Sequence, residues 1–347
     1  MKLKIFLLTS VLLLLIPVPA AFSADPGEPG ILKQIIADTG EKIRGIFEAI
    51  PKVTKHIVAS LGRDNPDTKF EIAQETYYMR YEEPDIMENV GMMYGLHMAI
   101  SYRIENPIRL NTIKQNFGDG RTYTKLRLEG RWARGEVDYD SSSTGSMDGT
   151  TDESTEIRGL ICYEILFSDR TTLMPYSGFG YRSLTDDNRG RYSSTGNWGY
   201  LRESKYFYIP FGIELSHNLK ERWVLRLKGE YDLFLEGKQE SHMEDGGATM
   251  LSASDGKYYV LDTLKNSQDM GVGIRGSIRL EKESNRFDFF IEPYARYWHI
   301  KESDHVQLTS EGGTILWYLD SGLTIPDTAY EPDNNTLEYG LLIGLNF

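Results

Sequence analysis

The sequence is poor in cysteine, in basic residues and in long apolar runs. Its one cysteine, Cys162, leaves no partner for an intrachain disulfide, and we expect it to be a small residue on a strand. Lys and Arg number 38 against 51 Asp and Glu, and this net charge of −13 argues against a nucleic-acid partner. After the N-terminus, no apolar run approaches the roughly 20 residues that a membrane helix needs, which argues against a helical membrane protein.

Aromatic residues, in contrast, are abundant. They make up 12% of the chain, with 22 Tyr, although the mean hydropathy is only −0.41. This combination is typical of a membrane β-barrel, in which tyrosines ring the two lipid–water interfaces while the lumen and the loops stay polar.

The N-terminus has the layout of an export signal. Lys2 and Lys4 precede an apolar stretch rich in leucine, and small residues follow it. Cleavage after Ser23 would leave Ala21 and Ser23 at the positions where small side chains are needed. We therefore predict a signal peptide over residues 1–23 and an exported mature chain.

Residues 24–66 have the period of an amphipathic helix, because isoleucines and other apolar residues recur every three or four positions. Pro51 breaks this pattern into two helices. We predict a short periplasmic helical segment, which either packs loosely under the following domain or serves as a plug or docking helix.

From residue 67 to Phe347 the hydrophobic period changes to two. Between Trp223 and Glu236 one face of the segment is apolar, and the other carries Arg226 and Lys228 among its charges. Similar segments recur along the chain. They predict an all-β fold, an antiparallel transmembrane β-barrel of about ten strands, with eight or twelve as alternatives.

The connections between these segments differ in length. Tight turns are predicted at 168–170, 218–221 and 282–285, and long loops at roughly 140–154, 186–200, 237–266 and 303–334. Strict alternation of turn and loop is typical of outer-membrane barrels, with turns in the periplasm and loops outside. The connection 104–121 is unusually long for a periplasmic turn.

The predicted loops are acidic. Their carboxylates either keep the surface soluble or hold divalent cations against lipid headgroups, since oxygen ligands suit Ca²⁺ and Mg²⁺. These residues are Asp148, Asp152, Glu153, Glu244, Asp245, Asp255, Glu311, Asp320, Asp327, Glu331 and Asp333.

The last strand alternates up to the final residue. Its apolar set is Tyr339, Leu341, Ile343, Leu345 and Phe347. This spacing resembles the C-terminal membrane-insertion signal of Gram-negative outer-membrane proteins, in which a terminal aromatic residue and the apolar residues before it are read by the barrel-assembly machinery. The resemblance implies a location in the cell outer membrane, with that machinery, membrane lipid and lipopolysaccharide as partners.

The barrel is also similar in strand number and length to the omptin proteases, whose active site uses aspartate pairs and an Asp-His pair at the extracellular rim. No Asp-x-Asp at a strand top and no Asp-x-His matches that motif. Asp304-His305 and Glu240-Ser241-His242 have the wrong spacing. No omptin catalytic residue is therefore carried over.

Charged residues of the strands are predicted to line the lumen, because a charge facing the bilayer midplane costs about 2–4 kcal/mol. Mixed signs in a narrow barrel predict ion pairs that fill the interior, with a small ion-selective pore as the alternative. The predicted lumen residues are Arg127, Glu129, Arg131, Arg158, Glu164, Glu214, Arg226, Lys228, Glu230, Asp232, Arg275, Arg279, Asp288, Glu292 and Arg296.

Residues for catalysis or metal binding do not stand out in the sequence. No nucleophile, base and orienting group share a recognisable motif, and no His/Cys cluster has metal-ligand spacing. His97 has no identifiable partner, and His242 and His305 fall in polar loops. We therefore expect no enzyme activity, no metal and no cofactor. The predicted function is that of a porin-like or structural outer-membrane protein. A surface enzyme acting on peptides or lipids and a loop-based adhesin are the alternatives.

Overall fold

The computed structural model describes residues 67–105, 122–246, 249–251, 258–310, 313–314, 316–318, 324–326 and 328–347. The predicted signal peptide and helical segment lie outside these residues. The chain divides into two units between Gly62 and Arg63, and all described residues belong to the second. Within the described part of the chain, no helix has the length and apolar character to cross a membrane.

Ten strands form a closed antiparallel barrel. They are β1 Thr68–Glu83, β2 Met87–Glu105, β3 Thr122–Ser141, β4 Gly145–Leu166, β5 Thr171–Asp187, β6 Leu201–Asn218, β7 Trp223–Ser241, β8 Gly271–Lys282, β9 Asp288–Ile300 and β10 Asn334–Asn346. Each strand pairs with the next, and β10 pairs with β1. The predicted all-β barrel is thereby confirmed, with ten strands rather than eight or twelve.

The connections carry smaller elements. Two single turns of 3₁₀ helix occupy Lys220–Arg222 and Met243–Gly246. Leu264–Gln268 pairs with the end of β7, beyond the part of β7 that β8 covers. Four short antiparallel strand pairs also lie in the described parts of the connections: Thr249–Leu251 with Tyr258–Val260, Val306–Gln307 with Thr328–Ala329, Thr309–Ser310 with Gly313–Thr314, and Leu316–Tyr318 with Thr324–Pro326.

The two ends of the barrel carry different parts of the chain. The terminus end holds Thr68 and Asn346, and the loop end holds the connections β5–β6, β7–β8 and β9–β10. The turns at 167–170, 219–222 and 283–287 lie at the terminus end and are short, as predicted. Beyond Glu105, residues 106–121 of the β2–β3 connection lie outside the described residues.

An apolar belt surrounds the barrel. Because successive side chains of a strand point to opposite faces, Ile161 and Phe179 project outward and are 63% and 71% exposed. Aromatic contacts mark both margins of the belt. Phe70 and Phe347 lie 6.3 Å apart at the terminus end, and the Tyr78–Tyr339 and Tyr181–Phe207 rings meet at about 5 Å nearer the loop end. This surface suits a bilayer.

Several strands continue past the belt at the loop end. β3 and β4 have 20 and 22 residues, whereas roughly 9–11 tilted residues cross a bilayer. The predicted alternation of short turns and long loops is wrong at two connections, because Pro84–Ile86 and Ser142–Thr144 are tight turns at this end. Residues 145–154, predicted to lie in a loop, belong to β4, since its hydrogen bonding to β3 continues beyond the apolar belt.

Candidate functional site

Glycines make room in the barrel wall for two inward-facing tyrosines. Gly180 stands opposite Tyr208, and a Cβ added to this glycine would lie 2.1 Å from the tyrosine Cζ. Gly212 stands in the same relation to Tyr176, at 2.0 Å. Because each ring can lie flat over a glycine, the hydroxyl of Tyr208 reaches Glu156 and donates a hydrogen bond of 2.6 Å.

Glu338 on β10 is the centre of a buried ion-pair layer. Arg131, Arg182 and Arg296 approach its carboxylate to 3.0, 2.6 and 3.2 Å. Arg182 lies on β5, five strands from β10 in either direction around the barrel. The Arg182–Glu338 pair therefore crosses the full width of the lumen.

A second bridge crosses at Glu156 on β4. Arg296 of β9, again five strands away, lies 3.7 Å from this carboxylate, and Arg275 of β8 donates to it at 2.9 Å. Arg275 also lies 2.7 Å from both Glu230 and Asp232. Each guanidinium thus joins carboxylates from several strands, and the lumen is filled at this level by mutually neutralising charges.

Nearer the terminus end, Arg279 pairs with Glu71 at 2.7 Å and with Glu292 at 2.5 Å. His97, for which the sequence indicated no partner, lies 3.3 Å from Glu71. Arg226 has a more local role. Among the described residues it forms ion pairs with Glu214 and Glu281, on the two neighbouring strands β6 and β8.

The predicted lumen residues lie on the inward face of the strands. Asp288 is placed at the rim, where it accepts the backbone N–H of Ser284 in the β8–β9 turn at 2.9 Å. Lys228 lines a cavity of about 70 Å³, together with His97 and Arg131. This cavity has room for a few water molecules. The predicted insertion residues Tyr339, Leu341, Ile343, Leu345 and Phe347 belong to the outward face of β10 or follow its end.

Sequence reasoning missed several members of the network: Glu71, Glu75, Glu156, Arg182, Glu281 and Glu338. Glu71, Glu75 and Arg182 belong to strands whose alternation is less regular, and Glu156 follows a stretch that reads as a loop. Glu338 carried a usable signal, because it is a charged residue between Leu337 and Tyr339 in an otherwise apolar final strand.

Charges in the body of the lumen are balanced. Eleven basic side chains meet eleven acidic ones: Arg103, Lys125, Arg127, Arg131, Arg158, Arg182, Arg226, Lys228, Arg275, Arg279 and Arg296 against Glu71, Glu75, Glu129, Glu156, Glu164, Glu214, Glu230, Asp232, Glu281, Glu292 and Glu338. Buried charges are tolerated only when they are paired, so this balance is a condition for a filled lumen.

At the loop end, Arg202 of β6 pairs with Glu83 of β1 at 2.7 Å and with Glu331 of the β9–β10 loop at 3.0 Å. Strands β1 and β6 are again five apart, so this pair also spans the lumen. Glu331, predicted to be a solvated loop residue, is in fact buried, because the loop folds inward here. Burial raises the pKa of Glu331 to about 7. The nearby Glu83 adds to this rise and Arg202 opposes it.

His242 belongs to a cluster on the outer surface of the loop end. One ligand atom each from Glu203, Glu240 and His242 lie within 4.8 Å of one another, a spacing that could hold a metal ion. Lys205 already lies among them, 3.4 Å from Glu203 and 3.1 Å from Glu240. His305, the other loop histidine considered, stacks on Tyr330 with ring centroids 4.6 Å apart.

The closed barrel, its apolar belt and its charged interior define the class of protein. It is a transmembrane β-barrel of the outer-membrane type, because a closed sheet, unlike an open one, leaves no unpaired backbone edge in lipid and because its outward and inward faces match lipid and lumen. Its place is the cell outer membrane.

Comparison with known proteins identifies no closer relationship. No family model and no curated protein matches the sequence. Among solved structures, the toluene transporter TbuX of Ralstonia pickettii is 8% identical, with a TM-score of 0.31 over 81% of this chain and 89% of its own. The NalP translocator domain of Neisseria meningitidis is 9% identical, with a TM-score of 0.34 over 87% of this chain and 97% of its own. The Ail protein of Yersinia pestis is 8% identical, with a TM-score of 0.25 over 81% of this chain and 99% of its own. Likenesses of this size carry no argument about function.

Proposed function

We propose that this protein is a structural outer-membrane barrel whose lumen is sealed by its own side chains and which acts through the surface of its loop end. The observation that carries this proposal is the set of ion pairs across the full width of the lumen: Arg182–Glu338, Arg296–Glu156 and Arg202–Glu83. A solute would have to separate oppositely charged groups buried with their partners, which costs several kcal/mol for each pair broken.

The proposal includes an orientation. The chain is exported by its signal peptide, the barrel-assembly machinery inserts it through the signal that ends at Phe347, and residues 24–66 stay in the periplasm. The loop end then faces outward, in contact with lipopolysaccharide. Support comes from the length of β3 and β4, which would hold the outer hairpins as a rigid extension above the membrane.

A binding role is the second candidate, and the same extension favours it. An adhesin needs a surface that projects beyond the membrane on a stiff base, and strands that continue past the apolar belt provide one. We propose no catalytic role, because the acidic and basic groups of the lumen engage one another. Loss of a hydrolytic activity on replacing His242 or His305 would contradict this part of the proposal.

Single-channel recording tests the sealed lumen. The refolded full chain, shown to be folded by heat-modifiable gel mobility, should be silent in a planar bilayer. The variant R182A/R296A removes both bridges of the middle layer. It leaves Glu338 paired with Arg131 and Glu156 paired with Arg275. This variant should show current steps that the wild-type protein lacks.

The matched control is R226A. Arg226 is also a lumen arginine, although it is partly exposed. Among the described residues its ion pairs reach only the neighbouring strands, so its loss should leave the bilayer silent. Steady ion-selective steps from the wild-type protein would show an open pore, and the porin-like function would then replace the sealed barrel.

A further inference from the structure

The loop end of the lumen differs from the rest in its charge balance. Below it, basic and acidic side chains are equal in number. Here four acidic side chains, Glu83, Asp152, Asp186 and Glu331, surround Arg202, the single base facing this end of the lumen among the described residues. Arg202 is already shared by Glu83 and Glu331. Asp152 and Asp186 therefore have no ion-pair partner of their own among the described residues.

These two aspartates face each other across neighbouring strands. Asp152 of β4 and Asp186 of β5 are directly opposed in the register, and both line a cavity of about 30 Å³ with Asn89. Asp152 is 7% exposed and Asn89 2%. Two carboxylates held together away from water repel each other unless a positive charge lies between them.

Three oxygens of this cavity accept no hydrogen bond from the described residues. They are Oδ1 of Asp152, Oδ1 of Asp186 and Oδ1 of Asn89. An unsatisfied buried polar atom is destabilising, and nearly all such atoms have a partner. The Asn89 side chain and the two carboxyl groups are hydrogen-bonding neighbours, so polar groups of three strands meet in this cavity.

The chemistry of this donor set is that of a hard cation. Carboxylate and amide oxygens are the ligands of Ca²⁺, whereas the Met79 thioether in the lining is a soft donor that such a cation does not favour. Arg202 also lines the cavity, but its guanidinium already pairs with Glu83 and Glu331. The outward neighbours at this level, Glu153 and Thr185, are polar. The group therefore lies beyond the apolar belt, where ions from water can reach the end of the lumen.

We propose that Asp152, Asp186 and Asn89 bind one divalent cation of the Ca²⁺ type at the loop end of the lumen. The ion cancels the charges of the two unpaired aspartates and ties β2, β4 and β5 together where they leave the membrane. The site goes beyond the sealed lumen and does not depend on it, because binding is measured on the folded barrel whether or not it conducts ions.

Calorimetry tests the proposal. The refolded full chain in detergent micelles is treated with EDTA, dialysed and titrated with CaCl₂. We expect one Ca²⁺ per chain, with a Kd on the order of 10⁻⁴ M, and a rise in Tm when Ca²⁺ is added. D152N and D186N keep the side-chain size but remove a charge. Each should weaken binding at least tenfold, and the double variant D152N/D186N should abolish both signals.

The matched control is E203Q/E240Q, which neutralises two acidic side chains of the outer surface cluster at the same end of the barrel. It should bind Ca²⁺ as the wild-type protein does. If D152N/D186N does not fold, N89A supplies the test, because it keeps both carboxylates and removes only the amide oxygen. At least a tenfold loss of affinity is expected for N89A.

Two results would overturn the proposal. If the folded wild-type chain shows no saturable Ca²⁺ binding, the two aspartates share a proton instead of a cation. If binding survives D152N/D186N but disappears in E203Q/E240Q, the cation lies on the outer surface, among Glu203, Glu240 and His242.

Discussion

The two members of the Arg182–Glu338 pair should respond very differently to substitution. Glu338 forms ion pairs with three arginines, so E338Q leaves Arg131, Arg182 and Arg296 to share fewer negative charges in the buried lumen. Removing one partner of a buried charge network costs about 3–5 kcal/mol. We expect E338Q to lower the free energy of unfolding by about that amount.

R182M should be far milder. Glu338 keeps two guanidinium partners, and Nε and Nη1 of Arg182 have no hydrogen-bond acceptor among the described residues. The methionine therefore removes two unsatisfied donors, each costing about 1–3 kcal/mol, together with one good ion pair. These effects offset each other. The net change in the free energy of unfolding should stay within about 1 kcal/mol.

Urea unfolding of the barrel in lipid vesicles, followed by tryptophan fluorescence, measures both values. The control is E88Q, which breaks a 2.9 Å pair with Arg80 that is 41–48% exposed. A surface pair of this kind contributes only about 0–1 kcal/mol. The reasoning is refuted if E338Q behaves like E88Q, or if R182M is as destabilising as E338Q.

Two further substitutions test the wall and the loop end. G180A should lower the free energy of unfolding by about 1–3 kcal/mol or more, because the added Cβ would overlap Tyr208. G229A is the control, since nothing lies within 4 Å of its added Cβ. The urea midpoints of the two variants measure the difference. Because the pKa of Glu331 is raised to about 7, the docked loop holds a proton more tightly than an undocked one. Docking is therefore strongest below about pH 4.5 and weakens, by up to about 3 kcal/mol, as pH rises through 7. The Ser303 backbone N–H donates to the Glu331 carbonyl at 2.9 Å, so its amide-exchange protection should fall as the loop undocks. E331Q should remove this pH dependence. Protection that stays unchanged between pH 5 and 8 would contradict the prediction.

Much of the lumen could be predicted because side-chain direction in a strand is a local property. Arg226, Glu230 and Arg275 alternate with apolar neighbours, so their inward direction follows from the period of two. The same rule failed for Asp152 and Glu331. Both were predicted to lie in exposed loops, since no local pattern shows that β4 continues past the apolar belt or that the last loop folds into the lumen.

The sequence by itself determined that the chain is a barrel, which faces of its later strands meet lipid, and that both signs of charge share the interior. Only the tertiary structure decided which charges meet. Arg182 and Glu338 are 156 residues apart, and their contact depends on the barrel having ten strands with a particular stagger. The same geometry balanced the charges in the body of the lumen and left Asp152 and Asp186 unpaired at the loop end. Alternation is set residue by residue, whereas contact across a lumen exists only once the sheet has closed.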